Sequence, residues 1–153
     1  MDKAQSSISV KGFFRIQIEE DGKIIGDSGF LPNQITNMGF QSIVNLIGAG
    51  ANSKQATHLS LGSGGMPAAG DVSLAGEVSA RQAVVFADIA SKTARFTAVF
   101  ASSNSFMAGA ANISNIGLFA NLSAASLLAG NTFASSSCNT NQNVNVTYEL
   151  RFS

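Results

Sequence analysis

Val144-Asn145-Val146-Thr147-Tyr148-Glu149-Leu150-Arg151-Phe152 is the stretch on which the fold reading turns. Val144, Val146, Tyr148, Leu150 and Phe152 alternate with Asn145, Thr147, Glu149 and Arg151. A period of two sends successive side chains to opposite faces of an extended strand. One face is predicted to pack inward, and the other to meet solvent or a neighbour. Moving back along the chain, residues 126–133 and 112–119 read as two more strands around the 120–125 connection. The serine-rich 135–141 segment reads as a loop. Residues 81–88 and 93–101 are β-rich runs flanking 89–92, the pattern of a hairpin. Thr57-His58-Leu59-Ser60-Leu61 alternates as well.

The first part of the chain repeats this punctuation. Phe14-Arg15-Ile16-Gln17-Ile18-Glu19 alternates, Asp21-Gly22 offers the positive φ angles of a tight turn, and residues 23–27 can return antiparallel. Residues 30–34 read as a connection. Thr36 can cap a helix, and Met38, Phe40, Ile43, Val44, Leu46 and Ile47 follow at helical spacing until Gly48. Residues 49–55 and 62–70 read as loops, and 74–78 as a helical turn. About eight strands and no alternation of strand and helix predict an all-β fold. The prediction is an antiparallel β-sandwich, jelly-roll-like, with one short helix over residues 37–47. It forms a single domain over 13–153, behind a polar arm at 1–12.

The chain has 153 residues with nine basic and nine acidic side chains, so its formal charge is zero. Neutrality gives no electrostatic basis for binding nucleic acid. No apolar run approaches the roughly 18–20 residues of a membrane span, so no membrane partner is expected. Met1-Asp2-Lys3-Ala4-Gln5-Ser6 carries no apolar signal region. One cysteine cannot form an internal disulfide. Hydrophobic residues reach 45%, too many for a disordered chain. Charge is also unevenly placed. Nine of the eighteen charged residues lie between Asp2 and Asp27, and the 53 residues from Phe96 to Tyr148 contain none. Average usage would put about 13 there. Charge normally keeps copies of a protein apart. A body without it is suited to close packing with its own copies.

Motifs that suggest chemistry are weak. Gly26-Asp27-Ser28-Gly29 matches the string around the serine of chymotrypsin-like proteases, but the single histidine, His58, follows that serine. In that family the histidine precedes it, and the chain is too short for two barrels. A turn is the better reading, and a hydrolase built on Ser28 and His58 ranks last. His58 and Cys138 are isolated, whereas a metal site needs several ligands at close spacing. The carboxylates Glu19-Glu20-Asp21 lie at a hairpin tip and lack the oxygen ligands of a calcium loop. Neither glycine loop has a phosphate-cradling pattern. Three Asn-x-Ser/Thr strings mark only an abundance of these residues. No cofactor, metal or enzymatic activity is expected.

Several strings, taken in order, resemble tailed-bacteriophage virion structural proteins. Asn33-Gln34-Ile35-Thr36-Asn37-Met38-Gly39-Phe40 through Ile47 resembles the short helix those proteins place after a first hairpin. Thr57-His58-Leu59-Ser60-Leu61-Gly62-Ser63-Gly64 resembles their strand and glycine loop. Leu74-Ala75-Gly76-Glu77-Val78-Ser79-Ala80-Arg81 resembles their Leu–Glu–Arg segment, and Asn112-Ile113-Ser114-Asn115-Ile116-Gly117-Leu118-Phe119 a central strand. Residues 127–133 and 144–148 resemble the closing strands. Asn115 stands where an acidic residue is usual, which implies that an ion pair with Arg81 is lost. The resemblance implies a structural β-sandwich of the virion, assembled in the bacterial host cytoplasm. The first expectation is a capsid decoration (cement) protein that stabilises the head, with the major capsid protein or another virion protein as partner. Its own copies are a second partner, a trimer being favoured. A tail, baseplate or fibre-adaptor component is the alternative. A carbohydrate-binding jelly-roll module ranks third, since there is no tryptophan and one tyrosine to offer a sugar platform. Asp2, Lys3, Gln5 and Lys11 are the candidate contacts of the arm.

Overall fold

The computed structural model describes residues 7–48 and 55–153. Its strands are β1 (Val10–Glu20), β2 (Lys23–Asp27), β3 (Leu31–Ile35), β4 (His58–Gly62), β5 (Gln82–Ala83), β6 (Val85–Ile89), β7 (Thr93–Phe100), β8 (Ala111–Phe119), β9 (Leu127–Cys138) and β10 (Asn143–Phe152). The helix α1 spans Asn37–Ile47. Strands neighbour one another in the order β5-β4-β8-β9-β3-β1-β10-β7-β6, with β2 beside β1. All the pairings among described residues are antiparallel. The chain is an all-β sandwich of jelly-roll type, curled into a near-closed barrel.

Two corner segments close it. Leu31, Pro32 and Asn33 of β3 pair with Phe14, Phe13 and Gly12, and then Gln34 and Ile35 pair with Gly130 and Ala129 of β9. Gln82 and Ala83 of β5 pair with β4, and from Val85 the chain pairs with β7 instead. Each segment ties the β1-β10-β7 sheet to the β4-β8-β9 sheet. The predicted 81–88 strand is therefore two short strands, bent at Val84, whose amide donates to the Thr57 carbonyl.

The core follows from the alternation. Phe14, Tyr148 and Phe96 lie side by side across β1, β10 and β7. Ile16, Val146 and Ala98 form the next row, and Ile18, Val144 and Phe100 the third. All nine are buried. Leu59, Leu61, Ile113, Ile116 and Leu118 of the opposing sheet join them in one cluster. Phe14 stacks on Tyr148 with ring centroids 6.2 Å apart. The β1–β2 turn has Asp21 at φ 51° and Gly22 at φ 76°, the paired positive angles a two-residue hairpin needs.

Four sequence expectations change. Residues 30–34, read as a connection because of Pro32, contain β3. A corner strand pairs only briefly with each partner, and there a proline is tolerated. The serine-rich loop begins later than predicted, because Ser136, Ser137 and Cys138 still pair with Ile113, Asn112 and Ala111. Residues 74–78 form no helix. They make a turn ending in isolated bridges, Glu77 to Gly62 and Ser79 to Met107. Residues 10–12, placed in the arm by sequence, belong to β1, and Ser9 exchanges two backbone hydrogen bonds with Ser153.

Candidate assembly surface

Lys11, placed in the arm by sequence, lies within β1 opposite Arg151, with its side chain exposed. It belongs to the ladder rather than to an arm. Asp2, Lys3 and Gln5 lie outside the described residues. Ser28 gives its hydroxyl proton to the Gly29 carbonyl at 2.7 Å, while its oxygen accepts from the Ile16 amide at 2.9 Å. His58 pairs its Nδ1 with Thr57 Oγ1 at 2.8 Å. Burial, and then the Arg81 charge, hold its pKa below the usual histidine value. Asp27 of the protease-like string is held by the Arg15 guanidinium, the Gly29 amide and Gln17, and its carboxyl is pushed well below the usual range. The string is thus a structural turn. Cys138 is wholly buried, and burial raises its thiol pKa. No group of three or more His, Cys, Asp and Glu side chains that could hold a metal is gathered among the described residues.

Residues of the 74–81 and 112–119 segments lie together. The Arg81 guanidinium lies 3.6 Å above the Phe119 ring. It donates to both Glu77 carboxylate oxygens, at 2.9 and 3.2 Å, and to the Asn121 and Ala124 carbonyls at 2.9 and 2.8 Å. Arg81 therefore has an acidic partner in Glu77, a residue of its own turn, while position 115 offers it none. Asn115 has a different task. Its amide donates to the Gly65 and Ala75 carbonyls at 3.1 and 2.9 Å, pinning the glycine loop over the outer face of β8. A carboxylate would lack those donors, which is why an uncharged amide suits this site. Leu74, Phe119 and Leu127 form a small apolar cluster beside it.

Three charged side chains on the outer side of the first sheet, Glu149, Arg95 and Arg151, pair with one another. Glu149, which alternation places outward, is only 3% exposed. Arg95 reaches it at 2.7 Å, and Arg151 at 2.7 and 3.0 Å. Burial opposes its ionisation, but hydrogen bonds from Arg151 and Arg95 outweigh this and lower its pKa. Arg151 in turn lies 4.1 Å from the centre of the Phe13 ring.

The helix α1 leaves apolar side chains open to a partner. Thr36 caps α1 by accepting from the Gly39 amide at 3.1 Å, and its hydroxyl donates to the Leu127 carbonyl at 2.6 Å. Only Gly39 and Ser42 of the helix are buried, so the helix meets β9 through its smallest residues. A Cβ at Gly39 would come within 2.1 Å of the Leu128 carbonyl oxygen. The larger side chains face away: Phe40 is 48% exposed, Val44 65%, and Ile47 84%. Helical spacing was legible in the sequence, but which side of the helix touches the sheet was not. Between α1 and the barrel mouth lies a cavity of about 460 Å³ lined by Ile43, Leu46, Phe86, Phe96, Leu118 and Leu150 among others, with no charged residue. Phe86 on β6 is 60% exposed at its rim. Exposed apolar area gathered in one place marks interaction surfaces.

No protein-family model matches this chain, and no curated protein or solved structure shows significant similarity to it.

Proposed function

We propose that this chain is a non-enzymatic structural subunit of a tailed-phage virion, a decoration protein that binds the assembled head and stabilises it. The observation that carries the reading is the uncovered apolar helix. The sandwich pairs Arg81 with Glu77 and both Arg95 and Arg151 with Glu149, yet leaves Phe40, Val44 and Ile47 in water. Burying such a surface against other subunits is favourable by roughly 25 cal/mol per Å² of apolar area. The ordered strings that resemble virion proteins give the class of assembly. In this structure their polar residues hold loops in place: Arg81 the 121–124 turn, and Asn115 the glycine loop. Binding only to the assembled shell would stabilise that state by mass action. The partners are then the shell protein and further copies of this chain.

Cryo-electron microscopy of the intact particle tests this. The expected result is density for the sandwich on the outer head surface, at a copy number comparable to that of the capsid subunit. Density confined to the tail or baseplate, at low copy number, would replace the reading with a tail-component role.

A further inference from the structure

We propose that a second copy of this chain docks on the α1 face, its apolar ridge entering the mouth of the cavity beside the first copy's helix. This rests on the assembly reading above and says where the copies meet. The ridge is Phe40, Val44 and Ile47, at i, i+4 and i+7, all on the side of α1 that the sheet does not cover. The recess is the cavity of about 460 Å³, whose wall includes Ile43, Leu46 and Ile47 of the same helix, so Ile47 stands where ridge and recess meet. Each copy therefore carries a ridge and a recess side by side. Two-fold contacts between identical chains use one self-complementary surface, and ring contacts pair two different patches of it; a ridge beside a recess serves either.

Charge selects the occupant. The 26 residues from Ser28 to Ser53 contain no Asp, Glu, Lys or Arg, so α1 is uncharged throughout. The cavity wall is uncharged as well. A partner presenting charge here would bury it without a counterion, which is strongly unfavourable. The chain's own ridge is apolar and neutral and meets that condition. A stable interface needs about 800 Å² per partner, more than one helix of this length presents. Phe86, exposed at the cavity rim, extends the contact onto β6.

Sedimentation of the full chain across micromolar concentrations tests the proposal. The wild-type protein should sediment at a multiple of its 15.7 kDa mass. Val44→Lys puts charge on the ridge alone, and Ile47→Glu puts it where ridge and recess meet, both at exposed sites. Ala94→Phe fills the recess from β7 and leaves the ridge untouched. Each should weaken self-association at least tenfold while keeping the circular dichroism spectrum and a cooperative melt. A wild-type monomer at every concentration overturns the proposal, and so does an oligomer that resists Ile47→Glu or Ala94→Phe. Co-sedimentation with phage heads reads the parent reading separately. Head binding lost in Ile47→Glu with the oligomer intact would assign this face to the shell protein and overturn the proposal. Self-association that follows the prediction in a protein that binds no head would uphold the docking and overturn the virion role.

Discussion

Glu149 and Tyr148 are neighbours in sequence, and they show how differently two buried polar groups can be treated. Glu149 has two arginines, so its carboxyl titrates below the usual value of about 4. Asp27 is shifted the same way. A carboxyl lowered in the folded state contributes stability that is complete above its unfolded pKa and lost as pH falls through the folded one. Urea midpoints should thus be level from neutral pH to about pH 5 and fall below about pH 4. Glu149→Gln should lower the neutral plateau and shrink the acid fall. An unchanged acid slope would show that Glu149 contributes nothing. Tyr148 has no such support: its hydroxyl is fully buried without a hydrogen-bond partner, and burial raises its pKa. An unsatisfied buried hydroxyl costs about 1–3 kcal/mol. Tyr148→Phe keeps the ring against Phe14 and should raise the melting temperature, by the equivalent of about 1 kcal/mol. A drop would mean that the hydroxyl has a partner after all.

At the scale of elements, α1 and β1 are held by opposite means. Helix propensity alone predicts that Gly39→Ala stabilises α1 by about 1 kcal/mol. The added methyl meets the Leu128 carbonyl at 2.1 Å, however, and overpacking of this kind typically costs about 1–3 kcal/mol. Contact should win, and calorimetry of Gly39→Ala should show a lower melting temperature. β1 depends on its ladder. Val10, Lys11 and Gly12 pair with Phe152, Arg151 and Leu150. Deleting residues 1–6, which stop short of β1, should weaken particle binding by removing the charged Asp2 and Lys3, and should cost less stability than a deletion that cuts the ladder. Deleting 1–12 should also destabilise the sandwich by cutting into β1. Equal melting of the two truncations would contradict the observed strand start. β3 and the end of β9 escaped the sequence reading for related reasons. Proline and serine are turn formers locally, but partner strands from distant parts of the chain decide whether they pair.

At the scale of the molecule, the charge-free run from Phe96 to Tyr148 does not become a single bare surface. Much of it is core: Phe96, Ala98, Phe100, Ile113, Ile116 and Leu118 are buried. The outer side of β8 is covered by the pinned glycine loop through Asn115. Val99 and Leu122 are exposed within the run, but the exposed apolar side chains that gather around a cavity lie outside it, on α1 and at Phe86 of β6. Association through an uncharged surface is governed by apolar burial, which salt does not screen. Self-association should therefore be nearly unchanged between low and high sodium chloride, and strengthened by sulfate. A steep loss with added chloride would point to contacts through the charged hairpin instead.

Sequence periodicity alone determined the class of fold, the β1–β2 hairpin with its Asp21-Gly22 turn, the limits of α1 and the core face of β10. These are local matters, set by the period of apolar residues and by backbone angles a few residues apart can impose. Tertiary structure decided the rest. It made β3 and the β5–β6 run into corners, gave Arg81 its partner Glu77, and buried Glu149 between two arginines. It also turned the small side of α1 inward, so that Phe40, Val44 and Ile47 face out. Gly39 sits inward because a Cβ there would meet the Leu128 carbonyl, a closeness that spacing along the chain does not encode, and Ser42 is buried on the same side.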